Sequence, residues 1–429
     1  MSGLDGVGES SAARLAPDED GPGACASGKA GPRPRQRLLV ASYCTYFLKP
    51  EMRHVYRQVC ALETVDTFVI TKYREGVEEY PFPDVVEIGT PQVNPLKRAF
   101  GKYVRRIPPL VYRGEFEVTR CILIRRDPDL MHVYFGNTGV HLLPIIRAWD
   151  RPTVLSFHGM DVQARPREKG YLTKLREVLA VVPLVLVRSE SIGRRLVELG
   201  CAEEKIRLNR TGIPLDRFPM TERTAPIDGV WHLVQACRLV PKKGLPTALR
   251  AFSVLTRHFP KAQFTVAGSG PMQLELERLA GELGIGERVR FTGFLNQADL
   301  RRLYEEAHIF VHPSELLPDA NQEGVPNSML EAMASGMPVV ATRHGGIPEA
   351  VDHEEQGLLV SEKDPAVLAE AMRRLCSDVA LWSRLRRAAA RRVAAEFSQA
   401  QQIARLEACY REAVAAGRGS GLHGAREGG

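Results

Sequence analysis

The amino-acid sequence predicts an α/β protein built from two Rossmann-like, doubly wound domains that face a central cleft. Three observations carry this expectation. At 429 residues the chain exceeds what one hydrophobic core usually supports. Short apolar runs alternate with amphipathic stretches, the pattern of parallel strands joined by crossover helices. The alternation comes as two series, parted by the Pro- and polar-rich segment Ile213 to Asp228, where a hinge is expected.

The elements follow in order. Residues 1–35 are rich in Gly, Ser and Asp and lack an apolar core, so they read as a disordered extension and not as a secretory leader. A first domain, 36–222, opens with a buried strand at Leu38 to Ala41. Further strands are expected at Thr67 to Thr71, Val85 to Gly89, His132 to Phe135, Thr153 to Phe157 and Leu184 to Val187. A second domain, 223–397, repeats the logic with strands at Trp231 to Ala236, Phe264 to Ala267, Val289 to Phe291, Ile309 to His312, Val339 to Thr342 and Leu358 to Val360. Helical periodicity fits Leu245 to Phe259, Met272 to Leu283, Asp299 to Glu306, Ser328 to Ser335 and Pro365 to Cys376. The stretch Leu381 to Ala415 reads as continuously helical. Its portion 398–415 is expected to return to the first domain, ahead of a loose tail at 416–429.

Composition narrows the function. The eight cysteines stand singly, without the paired spacing of zinc or redox sites, which fits a reduced, cytoplasmic compartment. No apolar run approaches the roughly 20 residues that cross a bilayer. A formal charge of +7 suits a nucleic acid, an anionic membrane surface or a phosphorylated substrate. Aromatic residues are not interleaved with the basic ones as a base-stacking platform requires, so no nucleic acid is expected as a partner.

The chemistry concentrates in a few segments. Glu323 to Thr342 reads as loop, helix, turn and buried strand, with Pro326 suited to the first helical position and Asn327 or Ser328 to the first free N–H groups. Such a helix start at the strand ends of an open sheet favours anions and hydroxyl-rich groups. Glu323 and Glu331 are spaced to grip two parts of one ligand; on their own they equally fit a helix-dipole contact and a solvated face. Arg238 and Lys243, in the loop after the first strand of the second domain, would neutralise a departing diphosphate, or form a solvated basic turn. Gly268, in Gly268-Ser269-Gly270-Pro271, marks a tight strand end. In Phe157-His158-Gly159-Met160-Asp161, His158 follows a strand and would face the cleft, or be a histidine satisfied in place. Asp161 would orient that loop or meet the acceptor.

These residues resemble the retaining glycosyltransferases of family four, which have the GT-B fold. The resemblance rests on Glu323 and Glu331 followed by Ala-Met-Ala-Ser-Gly, on Gly345-Gly346-Ile347-Pro348-Glu349, on Arg238-Leu239-Val240-Pro241 with Lys243-Gly244, on Phe291-Thr292-Gly293 and on His312-Pro313-Ser314. It is thinner in the first domain, where His158-Gly159, Asp161 and Arg210-Thr211-Gly212-Ile213-Pro214 carry it. The resemblance implies that Arg238 and Lys243 bind the donor diphosphate, Glu323 the sugar hydroxyls and Glu331 the ribose, with His158 near the reacting carbon. Gly268, Phe294, Gly324, Val325, Asn327 and Ser328 are implied to complete the donor site. No cofactor and no metal is implied; a UDP- or GDP-linked sugar is the substrate, and the acceptor is a carbohydrate or lipid-linked molecule.

Two departures are plain: Ser42 to Met52 holds no glycine, and Pro326 removes one backbone donor. They liken the chain to enzymes building exopolysaccharide or colanic-acid-like polymers, lipopolysaccharide or glycolipids. A GT-B sugar-nucleotide epimerase and a noncatalytic nucleotide-sugar binding subunit are the alternatives. The basic and aromatic stretch Lys97 to Arg106 suggests peripheral contact with an anionic inner membrane face, or a solvated helix face.

Overall fold

Strand-forming runs with no charged residue leave no solvent-facing side, so the strands they form must be covered on both faces. The computed structural model describes residues 37–49, 52–162, 170–317 and 323–420; the expected N-terminal extension lies outside the described residues. The first domain runs β1 (Leu39–Phe47), α1 (Arg53–Cys60), β2 (Asp66–Arg74), β3 (Val85–Glu87), α2 (Pro95–Ala99), a π-helical turn (Phe100–Val104), α3 (Pro109–Tyr112), α4 (Glu115–Arg126), β4 (Leu130–Tyr134), α5 (Gly136–Ala148), β5 (Thr153–Phe157), α6 (Tyr171–Val181), β6 (Leu184–Val187), α7 (Glu190–Glu198) and β7 (Ile206–Leu208). The second runs β8 (His232–Ala236), α8 (Leu245–Leu255), β9 (Gln263–Ala267), α9 (Gln273–Glu282), β10 (Val289–Gly293), α10 (Gln297–Glu306), β11 (Ile309–His312), α11 (Asn327–Ala334), β12 (Val339–Thr342), β13 (Gly357–Val360), α12 (Pro365–Ser377) and α13 (Val379–Glu396), and α14 (Gln399–Ser420) follows.

Both sheets are wholly parallel. The first has the order β3-β2-β1-β4-β5-β6-β7 and the second β10-β9-β8-β11-β12-β13. In each, the strand order reverses beside the opening strand, between β1 and β4 and between β8 and β11. Ligands of open α/β sheets bind at the carboxyl ends of such a pair. β4, β5, β6, β11, β12 and β13 are buried at every residue, as their apolar runs require. Helix starts carry their own caps: Ser189 accepts from Ile192 N, Asn296 from Asp299 N and Asp364 from Ala366 N and Val367 N.

The chain crosses between domains twice, and the crossings lie side by side. Ile213 N donates to Phe397 O at 2.7 Å and Gln399 N to Ile213 O at 2.9 Å. α14 then packs Leu406, Cys409, Tyr410, Ala413 and Val414 on Val40, Leu130, Val154, Leu184 and Leu186 of the first sheet. Glu407 caps the turn before β2 by accepting from Glu63 N and Thr64 N at 2.7 Å.

Several expectations need correcting. The continuous helix expected over Leu381 to Ala415 is broken at Phe397 and Ser398, where the backbone turns to pair with Ile213. α14 extends to Ser420, beyond the expected start of the tail. β1 extends to Phe47, well past Ala41, because its polar and aromatic residues pair in register with β2. β7 was not expected: Ile206-Arg207-Leu208 is a short edge strand with no long apolar run. Pro326 is the N-cap of α11 and not its first helical residue, and no side chain caps that helix.

Candidate functional site

The second domain builds one wall of the site from three loops. Gly268 has φ +136°, and a Cβ there would lie 1.9 Å from Cys237 O, so glycine lets the loops after β8 and β9 meet backbone to backbone. Cys237 N donates to Ala267 O and Leu239 N to Ser269 O, both at 2.9 Å, which fixes Arg238 on the rim as an exposed cation. The turn Pro241–Lys243 then buries Lys242 and Lys243.

Both lysines converge on Glu323: Lys243 Nζ lies 2.8 Å and Lys242 Nζ 3.5 Å from its Oε2. Burial alone would raise the Glu323 carboxyl pKa, but Lys243, Lys242 and His312 outweigh it and hold the group at about 2. Its backbone is clamped as well. Glu323 N donates to His344 Nε2 at 3.0 Å, Gly346 N donates to Glu323 O at 3.1 Å, and His344 Nδ1 meets Glu362 at 2.8 Å. The Gly345-Gly346 motif thus shapes the acidic loop.

α11 starts at Asn327 with its first amides free of side-chain caps, the feature of an anion-accepting helix end. Glu331, on the same helix, is 5% exposed and so is not on a solvated face. It accepts from Arg57 Nη1 of the other domain at 2.7 Å.

The first domain supplies the facing wall. α1 follows β1 and presents Arg53, His54 and Arg57. His158, one residue past β5, shares a hydrogen bond between its Nδ1 and His54 Nε2 at 2.8 Å and another between its Nε2 and Ser156 Oγ at 3.1 Å. Burial, and then the charges of Arg188 and His54, hold its pKa well below the usual histidine range, so the ring is neutral at pH 7. Asp161 does not line the cleft. It accepts from the amides of Gly136, His158 and Gly159 at 2.8–3.2 Å and so fixes the His158 loop.

The two walls enclose a cleft of about 360 Å³. His158, Arg238, Lys243, Gly268, Phe294, Glu323, Gly324, Val325, Asn327, Ser328 and Glu331 all line it, and Asp161 alone of the expected residues stands behind it. Sequence reasoning missed Arg53, His54, Arg57 and Arg188 on the first wall, and Lys242 behind the second. A signal for the first three existed: Arg53, His54 and Arg57 lie in the helix that directly follows the opening strand, at the switch point of the sheet. Arg188 had the same position after β6. Among the described residues there is no cluster of three or more His, Cys, Asp or Glu arranged to hold a metal ion.

Comparison with known proteins fits this geometry. The profile of the family described as "Glycosyltransferase Family 4" matches residues 53–217, and that described as "Glycosyl transferases group 1" matches residues 221–392. The chain is 31% identical over 273 residues to the amylovoran biosynthesis glycosyltransferase AmsK of Erwinia amylovora, covering 63% of this chain and 67% of that protein. It is 31% identical over 249 residues to the putative colanic acid biosynthesis glycosyltransferase WcaL of Escherichia coli K12, covering 57% of this chain and only 60% of that protein. Over 390 residues it is 34% identical to a D-inositol 3-phosphate glycosyltransferase of Saccharomonospora viridis, with coverage of 81% and 88%. Among solved structures, sucrose-phosphate synthase from Thermosynechococcus elongatus aligns with TM-score 0.69 at 21% identity, over 89% of this chain and 100% of that one. Anabaena HepE in complex with UDP and glucose aligns with TM-score 0.70 at 17% identity, over 88% and 100%. At these identities the structural matches speak for the shared two-domain fold.

Proposed function

The chain belongs to the group 1 and family 4 glycosyltransferases, and from that premise we propose that it transfers a hexosyl group from a nucleotide-sugar to an acceptor hydroxyl with retention of configuration. The names of AmsK and WcaL support a place in exopolysaccharide assembly. One observation carries the reading: two cations, an uncapped helix end and two carboxylates meet in a single cleft opposite a neutral histidine.

Arg238 and Lys243 take the diphosphate, Glu323 the hexose hydroxyls, and Glu331 the ribose. As the bond from the anomeric carbon to the phosphate oxygen breaks, those cations and the α11 end stabilise the departing charge. The acceptor oxygen attacks the same face, its new bond forms at the anomeric carbon, and its proton passes to the leaving phosphate oxygen. A neutral His158 suits a position beside the developing positive sugar, because a charged ring there would repel it. The donor needs no resident cofactor in this scheme.

Thermal unfolding with UDP, GDP and ADP, and then with their sugars, tests the proposal: one nucleoside diphosphate raises the melting temperature in proportion to ln(1 + [L]/Kd). Lys243→Met removes most of that shift, and Glu323→Gln keeps nucleotide binding while losing transfer. Absence of any nucleotide effect, or a product of inverted configuration, contradicts it. Polymer synthesis retained in cells after His158→Ala and Glu323→Ala would favour a noncatalytic nucleotide-sugar binding subunit.

The surface of the first domain supports a peripheral membrane location. Leu96 (80% exposed), Phe100 (53%), Tyr103 (69%) and Val104 (65%) project from α2 and the π-helical turn. Exposed Lys97, Arg98, Lys102, Arg105 and Arg106 surround them, and no acidic residue occurs between Glu87 and Glu115. Among the described residues none of these five cations forms an ion pair. Apolar side chains ringed by unpaired cations fit an anionic lipid surface, at on the order of 1 kcal/mol per cation. Cosedimentation with phosphatidylglycerol vesicles should fall sharply when the five are changed to Gln; unchanged sedimentation contradicts this location. Among the described residues no helix is long and apolar enough to cross a membrane.

A further inference from the structure

Arg188 is the first residue after β6, so the strand end carries it to the floor of the cleft. Its Nη1 donates to Thr211 Oγ1 at 3.0 Å and its Nη2 to Gln58 Oε1 at 2.8 Å. Both partners are neutral, and among the described residues no carboxylate pairs with it. Asp161, whose charge it feels, spends its oxygens on the amides of Gly136, His158 and Gly159. A guanidinium packed among protein atoms without a counter-ion is costly unless a ligand supplies one. Two of its five N–H donors are engaged, which fixes the fork and leaves the rest for a bidentate acid.

The charges of the cleft point the same way. Arg53, Arg57, Arg188, Arg238 and Lys243 line it against only Glu323 and Glu331. Arg57 is committed to Glu331 and Lys243 contacts Glu323. A bound diphosphate, with two negative charges, falls to the wall formed after β8. The first wall keeps its excess of positive charge, and Arg188 stands there within electrostatic reach of His158.

We infer that Arg188 receives an acid group, a carboxylate or a phosphate, borne by the sugar that reacts beside His158. This rests on the nucleotide-sugar reading above and adds the class of substrate. The acid belongs either to the transferred sugar or to the acceptor, and two arms of one experiment separate these sources. Binding to wild type, Arg188→Gln and Arg188→Lys is measured by titration calorimetry. The donor arm compares UDP, UDP-glucose, UDP-galactose, UDP-glucuronate and UDP-galacturonate. The acceptor arm, with UDP saturating, compares methyl glucoside and galactoside with their uronate and 6-phosphate counterparts.

In one arm the acid-bearing sugar binds tighter than its neutral twin, on the order of tenfold or more. Arg188→Gln abolishes that preference, Arg188→Lys keeps part of it, and UDP itself binds all three proteins within about twofold. Equal binding of acidic and neutral sugars in both arms overturns the inference. So does an Arg188→Gln protein that loses affinity for UDP alone, since Arg188 would then belong to the diphosphate grip. Failure of every nucleoside diphosphate to bind wild type sinks the underlying donor reading instead, which is a distinct result.

Discussion

Arg57 and Glu331 each lie 7% exposed at the side chain and meet at 2.7 Å across the two domains. Neither would be stable in that place without the other, because the desolvation of each charge is offset only by its partner and by added hydrogen bonds. Among the described residues Arg57 Nε and Nη2 are buried without a hydrogen-bond partner, so the guanidinium also has donors left for a ligand at the ribose position. Replacing Arg57 by Leu leaves a buried carboxylate alone and should cost about 3–5 kcal/mol in urea denaturation. Adding Glu331→Gln to Arg57→Leu should recover a large part of that loss, since residues in contact are coupled. Strictly additive single-variant effects would show that the pair is not an energetic unit.

The loops around Glu323 show how a turn motif controls an acid it does not adjoin in sequence. Gly345 has φ +53°, and a Cβ there would lie 2.0 Å from Glu323 O. Gly345→Ala must therefore displace the Glu323 segment, and transfer should fall on the order of 10²-fold, as expected for a misplacement near 1 Å. The melting temperature without ligand should fall much less than the nucleotide-induced shift; wild-type turnover would refute this route. The second-domain wall was legible in the sequence because each of its parts is local: Arg238 and Lys243 share one turn, and Glu323 and Glu331 share one loop and helix. The first-domain wall was not, since Arg53, His54 and Arg57 on α1, His158 after β5 and Arg188 after β6 meet only through sheet order. The break at Phe397 and Ser398 is not legible in the sequence for a related reason. Helical periodicity carries across it, and what interrupts the helix is a distant partner, Ile213. Lys242 carries no signal of its own in the sequence, and only the fold shows both lysines turned onto one carboxylate.

Across the whole molecule, acid should unfold the chain through its histidines. Burial first, then nearby cations, hold His132 and His312 at about 3 and His232 and His308 at about 4, and push His158 well below its usual range. An unfolded chain protonates these rings near pH 6.5, so their contribution is fully present above that value and is lost as pH falls toward 3–4. His132 and His312, both inaccessible to solvent, should each remove about 1.4 kcal/mol per pH unit within that window. Glu115 and Glu323, held at about 2, add a second loss only below about pH 4.3. Urea midpoints at pH 8, 7, 6 and 5 should be level at first and then fall; a flat profile to pH 5 contradicts the assignment. The paired crossings at Ile213 and Ser398 act on the same scale. Two lengths of backbone pinned together make a natural axle, about which a parting of the halves would turn. Thr211 sits two residues from the axle, and the Arg57 carbonyl accepts from Gln399 Nε2 at 3.0 Å on the axle itself; Arg188, tethered to Thr211, would present the same face to a sugar whether the jaws are shut or open.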